Sequence, residues 1–314
     1  MHERAEGGCM MILTETLRKN RDKYTLVMFD VDGVLIDTSK SFFEAIILAV
    51  DRILSGRGIQ ISDTDLRNPL ARIKTAPGFN NDWDAAEALL VFLAHRELCV
   101  LAMDIDGFIA SLAGYCEGSV SWERWTHQNA PTASKPLLRL LESSPIRETA
   151  MEYYAGSEMC ADLYGIEPAG IAERGTHLNE AVLADTALLD SLACARGIYT
   201  GRNRPELDMA LEKLLPVSWD TNLLFCDTGS GPESVKPSPL ALLRAAEYAQ
   251  SSALIFAGDS PDDYAAAVNA RQERPGLDVE FAAVGPALWA AAYPVSRVSN
   301  INELLTFLYD RGVQ

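Results

Sequence analysis

Short, almost wholly apolar runs recur along this chain and restrict its fold more than any other feature of the sequence. They occupy residues 25–29, 197–200, 223–226, 253–257 and 279–284. A strand that is apolar at nearly every position suits a sheet that is covered on both faces, as parallel sheets are. The runs therefore predict strands of a parallel sheet.

Helical stretches lie between the later runs, at residues 205–215, 239–249 and 262–270. Strands that alternate with helices in this way indicate a doubly wound α/β layer structure. We therefore predict an α/β fold with a Rossmann-like parallel sheet at its core.

The middle of the chain has a different pattern. From about residue 40 to about residue 184, apolar residues recur at three- and four-residue spacing, and glycines and prolines separate the stretches. The clearest stretches are 42–50, 84–102, 136–141 and 158–164. This pattern is typical of helices, and it predicts a helical domain inserted after the first strand. The predicted boundaries are 1–22 for an N-terminal extension, 23–40 and 185–314 for the α/β core, and 41–184 for the helical domain.

The charge balance argues against two classes of partner. The chain carries 27 basic and 44 acidic residues, a formal net charge of −17. Such a surface repels nucleic-acid backbones and anionic membranes, so we predict no nucleic-acid partner and no membrane partner. Its six cysteines and four histidines are dispersed, and no run approaches the roughly 20 apolar residues of a membrane span. A reducing, cytoplasmic location is expected, and the oligomeric state is left open.

Polar residues cluster where the predicted strands end. Asp30 and Asp32 follow the first run, Thr200 and Gly201 the second, and Lys236 comes after the third. Asp259 and Asp263 follow the fourth run. Ligands of open α/β sheets bind at this edge, and crowded carboxylates with oxygen ligands suit Mg²⁺. A magnesium ion and a lysine together would hold the oxygens of a phosphoryl group.

These four segments, in this order, resemble the four motifs of the haloacid dehalogenase (HAD) superfamily of phosphohydrolases. The inserted helical region resembles the cap domain of its subfamily I. Residues 78–84 and 200–204 are also similar to a branch near the phosphoglycolate phosphatase-like enzymes.

The resemblance implies a role for each motif residue. Asp30 would be the nucleophile that forms an aspartyl-phosphate, and Asp32 would be the general acid and then the general base. Thr200 and the backbone N–H of Gly201 would hold phosphoryl oxygens, and Lys236 would offset negative charge. Asp32 favours hydrolysis or transfer of a phosphoryl group over dehalogenation, because an alkyl halide leaves without a proton and dehalogenases lack this acid.

The resemblance also implies the metal site. Asp30, the backbone carbonyl of Asp32 and Asp259 would bind Mg²⁺, and Asp263 would hold a metal-bound water. Asp262 has no counterpart in the motif, and we expect it to face solvent.

A second Asp-x-Asp-Gly segment is a decoy for the first motif. Asp104 and Asp106 follow a run, residues 88–102, that is too long for a strand and indicates a helix. We therefore assign Asp104 to a helix end or a solvated turn, and Asp30 to the nucleophile.

Several polar residues are substrate-binding candidates with an equally simple structural interpretation. Asn80 and Asn81 either contact substrate or cap a helix, since asparagine is a favoured N-cap. Lys74 is a weaker candidate of the same kind. Arg202 and Arg204 either bind an anionic substrate or pair with acids near the next helix. The tryptophans at positions 83, 122, 125 and 289 are assigned to packing.

The expected function is Mg²⁺-dependent hydrolysis of a small phosphorylated metabolite. Two alternatives stay open. A phosphomutase would return the phosphoryl group to a substrate hydroxyl, and the core motifs do not separate it from a phosphatase. A non-catalytic binding module would be expected to lack at least one core residue, and none is missing here.

Overall fold

The computed structural model describes residues 11–76, 79, 81–98, 103–112, 116–117, 119–230 and 235–309. Within these ranges the chain forms two compact units. The first comprises the residues up to Asp37 and those from Ala181 onward, and the second is Thr38–Glu180. No helix in the described ranges has the length and apolar character needed to cross a bilayer.

The strands and helices are numbered here in chain order. The strands are β1 (Leu26–Phe29), β2 (Ile36–Asp37), β3 (Cys116–Glu117), β4 (Ser119–Val120), β5 (Ala181–Val182), β6 (Ala195–Asn203), β7 (Leu224–Asp227), β8 (Ala253–Gly258), β9 (Asp278–Val284) and β10 (Ser296–Val298). The helices are α1 (Glu15–Lys19), α2 (Phe42–Ser55), α3 (Asp63–Lys74), α4 (Asp82–Leu98), α5 (Ile105–Leu112), α6 (Trp122–Asn129), α7 (Ser134–Glu142), α8 (Ile146–Ala155), α9 (Cys160–Tyr164), α10 (Thr186–Asp190), α11 (Arg204–Lys213), α12 (Leu240–Tyr248), α13 (Pro261–Glu273) and α14 (Ile301–Tyr309).

The first unit contains a six-stranded sheet in the order β10-β9-β8-β1-β6-β7, and each neighbouring pair is parallel. Side chains alternate between the faces of a strand. Val27 and Phe29 accordingly lie in one buried cluster, and Leu26 and Met28 lie in another. Both faces of the sheet are covered, which explains the wholly apolar runs and confirms the predicted α/β class. The strand order reverses at β1, the kind of position where such sheets bind ligands.

The segment before β1 is part of this unit's core. Ile12 pairs with Arg297 of β10 through two backbone hydrogen bonds, of 2.8 and 2.7 Å. Leu13 and Leu17 are buried in the first of the two apolar clusters. The Thr14 hydroxyl donates to Glu280 at 2.7 Å. Part of the segment predicted as an extension, residues 12–17, is therefore anchored to this unit through Ile12, Thr14 and the buried Leu13 and Leu17.

The second unit is mainly helical, with a short β3–β4 hairpin. Its centre is formed by α2, α4 and α8, and the rings of Phe42 and Tyr154 stack there with centroids 3.9 Å apart. Trp83, Trp122 and Trp125 are buried in this unit. Their assignment to packing is confirmed.

A buried carboxylate holds an irregular loop of the second unit in place. Glu152 of α8 is only 2% exposed. It accepts hydrogen bonds from the backbone N–H groups of Ala169 and Ile171, at 2.7 and 2.5 Å, and from the Ser157 hydroxyl at 3.0 Å. Burial alone raises the pKa of Glu152, but these hydrogen bonds outweigh it and hold the pKa below its usual value. The charged form is therefore the one that stabilises the loop.

We expect Glu152→Ala to lower the free energy of unfolding by about 2–4 kcal/mol, because several buried donors lose a charged acceptor. Since the folded-state pKa is depressed, this stabilisation is present at neutral pH and is lost as the pH falls through the acid range. Urea unfolding at pH 7 measures the loss. The matched control is Glu148→Ala, an exposed glutamate on the same helix. Equal effects of the two substitutions would contradict this account.

Candidate active site

The polar residues of the predicted motifs do meet at the carboxyl edge of the sheet. Asp30 directly follows β1, and its backbone N–H donates to Ala257 of β8 at 2.9 Å. Asp259 directly follows β8. Thr200 lies within β6 instead of after it, since this strand continues to Asn203. The β6–β7 register is irregular between Tyr199 and Asn203, so the second motif occupies a distorted strand end.

Lys236 joins two buried carboxylates. Its Nζ lies 2.7 Å from Oδ1 of Asp30 and 2.6 Å from Oδ1 of Asp263, and all three side chains are almost completely buried. Burial lowers the pKa of the Lys236 ammonium, but Asp263 and Asp30 outweigh this and hold the pKa above its usual range. The lysine is therefore a permanent cation at the base of the site.

The site is dominated by negative charge around Asp30. Burial raises the pKa of the Asp30 carboxyl well above its usual value, and Asp263, Asp32 and Asp259 raise it further, whereas Lys236 lowers it. One ligand atom from each of Asp30, Asp259 and Asp263 can be chosen so that all three lie within 4.8 Å of one another. Crowded oxygen ligands are favourable when a hard cation lies among them. These residues therefore fit Mg²⁺.

Two glycines allow the acidic segments to approach each other. Gly33 has a φ of +74°, and a Cβ atom there would lie 2.1 Å from Oδ2 of Asp259. At Gly258, a Cβ would lie 2.5 Å from the Cβ of Asp263. Larger residues at either position would displace an aspartate of the cluster.

Asp263 has a structural task in addition to its place in the cluster. Its Oδ2 accepts from the backbone N–H groups of Asp259 and Ser260, at 3.2 and 3.1 Å, and from the Ser260 hydroxyl at 2.7 Å. Together with the return bond from its own N–H to Ser260, this forms a capping box at the start of α13. Asp263 therefore fixes the loop that carries Asp259. The expectation for Asp262 is wrong, because this residue is only 5% exposed.

Arg202 pairs with Asp32 across the site. The guanidinium donates from Nε at 3.0 Å and from Nη2 at 2.7 Å to the same Oδ1 of Asp32. Arg204, in contrast, forms an ion pair with Asp208 one turn along α11, with its Nε 2.8 and 2.9 Å from the two carboxylate oxygens. Both arginines thus pair with acids, one at the site and one on the helix surface.

Thr200 is buried, and its Oγ1 accepts a hydrogen bond from the backbone N–H of Arg202 at 3.2 Å. This hydrogen bond uses a lone pair of the hydroxyl oxygen and not its proton, so Thr200 can still donate a hydrogen bond to another group. Gly201 follows directly and is partly exposed.

Among the candidates in the second unit, Asn80 lies outside the described residues. Asn81 caps α4, because its Oδ1 accepts from the backbone N–H groups of Trp83 and Asp84 at 2.9 and 3.3 Å. Lys74 pairs with Asp82 at 3.0 Å. Substrate contact by Asn80 and Asn81 stays a prediction.

The decoy motif has the structure assigned to it. The Oδ1 of Asp104 accepts from the backbone N–H of Gly107 at 2.7 Å, at the start of α5. Asp106 pairs with Arg72 on the surface. The preceding run is helical, as α4, up to Leu98. The prediction of a helix end is confirmed.

Trp289 is a site residue that the sequence did not reveal. Its indole N–H donates to the backbone carbonyl of Asp259 at 3.1 Å, and its ring packs against Tyr264, Phe281 and Tyr293. It lies 30 residues after Asp259 in the chain, outside all four motifs. The tryptophan holds the loop that carries a predicted metal ligand.

We expect Trp289→Phe to weaken Mg²⁺ binding about 3- to 10-fold, since the ring is kept and one hydrogen bond to the Asp259 loop is lost. Isothermal titration of Mg²⁺ into the apoprotein measures this directly. Trp219→Phe is the matched control, because the Trp219 indole donates to Leu215, outside the acidic cluster. Unchanged Mg²⁺ affinity in Trp289→Phe would show that the hydrogen bond does not position the loop.

The fold and the site together define a doubly wound α/β protein with a carboxylate-rich centre at the switch point of its sheet. A family model described as haloacid dehalogenase-like hydrolase matches residues 24–271. The chain belongs to this hydrolase family, as the motifs predicted. A comparison with curated proteins gives no significant sequence match.

Solved structures of similar fold include phosphatase Tt82 from Thermococcus thioreducens, which is 22% identical, with 91% of this chain and 100% of that chain covered and a TM-score of 0.58. A structural-genomics target is 15% identical, with coverage of 90% and 98% and the same TM-score of 0.58. A β-phosphoglucomutase from Clostridium difficile is 15% identical, with coverage of 91% and 97% and a TM-score of 0.45. At these identities the likeness concerns the fold alone.

Proposed function

We propose that this chain is a Mg²⁺-dependent phosphatase that hydrolyses a small phosphate monoester through an aspartyl-phosphate on Asp30. The observation that carries this proposal is the buried Asp30–Lys236–Asp263 arrangement, with Asp259 beside it, at the carboxyl edge of β1. Such a centre places a carboxylate nucleophile among groups that offset the charge of a phosphoryl group.

Asp30 forms the new bond in the first step. One of its carboxylate oxygens attacks phosphorus while the ester P–O bond breaks, and Lys236 holds Oδ1, so that Oδ2 is the attacking oxygen. Asp32 donates a proton to the departing alkoxide, which leaves as an alcohol. The Thr200 hydroxyl and the Gly201 N–H donate hydrogen bonds to phosphoryl oxygens.

The second step restores the carboxylate. Asp32 accepts a proton from water as the water oxygen bonds to phosphorus, and the bond between phosphorus and Asp30 breaks to release inorganic phosphate. Mg²⁺, held by Asp30, Asp259 and the Asp32 carbonyl with Asp263 behind them, would neutralise the charge on the phosphoryl oxygens.

The test is phosphate release from a panel of small phosphate esters, with Mg²⁺ and with an excess of chelator. We expect release with Mg²⁺ and almost none with chelator. Absence of release from every ester, by folded protein that binds Mg²⁺ in a calorimetric titration, would overturn the proposal. Product analysis on sugar phosphates separates hydrolysis from transfer to a hydroxyl, the phosphomutase outcome.

A further inference from the structure

The two side chains of the Arg202–Asp32 ion pair differ in their exposure to solvent. The Arg202 side chain is 1% exposed, whereas the Asp32 side chain is 27% exposed. Two N–H groups of the guanidinium converge on a single oxygen, Oδ1, of the carboxylate. One oxygen of Asp32 is therefore held by a buried guanidinium, while the Asp32 side chain stays partly accessible to solvent.

Neighbouring residues perform the structural tasks of this segment. The first turn of α11 is closed by a capping box between Asn203 and Glu206. Arg204 pairs with Asp208 along the helix surface. Arg202 instead reaches a residue 170 positions away in the chain, on the loop that also carries Asp30. A buried guanidinium needs partners, and one partner here is the proposed proton donor of the reaction.

We propose that Arg202 is a positioning residue for Asp32, and this inference rests on the proposed function. The planar fork holds Oδ1 in one orientation and directs Oδ2 toward the oxygen of the leaving group. Lysine cannot reproduce this geometry, because its ammonium is a single point of charge without a planar pair of donors. Arg202 acts through Asp32 and forms no bond with substrate.

This role predicts a dependence on the leaving group. An alkyl phosphate needs a proton from Asp32 when its basic alkoxide departs, whereas p-nitrophenyl phosphate releases a stable anion and needs little help. The value of kcat/KM reports the steps up to departure of the leaving group. Arg202→Lys and Arg202→Met should therefore lower kcat/KM for the alkyl ester about 10²-fold. For p-nitrophenyl phosphate the loss should stay within about 5-fold, with KM for both esters nearly unchanged.

A double-mutant cycle with Asp32→Asn isolates the pair. We expect Arg202→Met to have almost no further effect on the alkyl ester once Asp32 is an asparagine, because the residue that it positions no longer transfers a proton. Arg204→Lys is the control and should keep wild-type kcat/KM on both esters. Thermal unfolding shows whether each variant is folded. If Arg202→Met does not fold, Arg202→Lys replaces it in the cycle.

The outcomes separate this inference from the proposed function. Equal losses on the two esters, or an additive effect in the Asp32→Asn background, would mean that Arg202 binds the phosphoryl group or supports the fold, and would overturn the inference alone. A folded, Mg²⁺-binding wild-type protein that hydrolyses no ester of the panel would overturn the proposed function and the inference with it.

Discussion

Asp30→Asn is expected to abolish phosphate release, with kcat lowered on the order of 10⁴-fold or more. The amide is similar in size to the carboxylate but cannot attack phosphorus to form an acyl-phosphate. Lys236 keeps its ion pair with Asp263 in this variant, so the protein should still fold. Phosphate release at saturating Mg²⁺ measures the loss, and circular dichroism verifies the fold.

The decoy motif supplies the control for this substitution. Asp104→Asn changes the first aspartate of the other Asp-x-Asp-Gly segment, and asparagine is an equally good residue for the start of α5. We expect its activity to equal that of the wild type. Full activity in Asp30→Asn, or a comparable loss in Asp104→Asn, would overturn the assignment of the nucleophile.

Gly33→Ala is expected to lower activity about 10²-fold or more and to weaken Mg²⁺ binding, because a displacement of about 1 Å at a reacting centre has effects of this size. The new Cβ would lie 2.1 Å from Oδ2 and 2.9 Å from Cγ of Asp259, so the carboxylate must move. Calorimetric Mg²⁺ titration and phosphate release follow the two effects separately.

Alanine at position 33 would also strain the backbone, because φ is positive there, so the control variant must introduce the same strain. Gly285 has the same φ of +74°, lies in the same unit, and has no atom of the described residues within 4 Å of an added Cβ. Gly285→Ala should therefore share the strain of about 1–2 kcal/mol and keep Mg²⁺ affinity and activity within a few-fold of wild type. Similar losses in the two variants would show that strain, and not contact with Asp259, explains the effect.

Much of the α/β unit was predictable because its strands are buried on both faces. The predicted strand at 253–257 is β8, and the predicted run at 279–284 is β9, each within one residue. The edge strand β10 was not predicted, since Ser296–Val298 has only three residues and an arginine at its centre. So short a strand has no apolar pattern of its own, and its pairing with β9 and with Ile12 defines it.

The burial of single residues was less predictable. Asp262 was expected in solvent because its spacing matches no motif, yet it is buried in the first turn of α13, where a helix N-terminus favours negative charge. In the N-terminal segment, Leu13 and Leu17 lie in an apolar cluster of the sheet, a position that the sequence did not predict. The burial of a single residue depends on which distant segments pack over it, and the local sequence does not show which segments these are.

The sequence by itself determined the fold class, the family and the set of acidic and basic residues at the carboxyl edge of the sheet. Fold class and site residues could be predicted because the strands are apolar runs and the site residues directly follow them. A residue next to a strand end must lie at the edge of the sheet. Only the tertiary structure decided that Arg202 holds Asp32, that Trp289 holds the Asp259 carbonyl, and that Gly33 lies against the Asp259 side chain. These contacts join segments that are distant in the chain, and only tertiary packing brings them together.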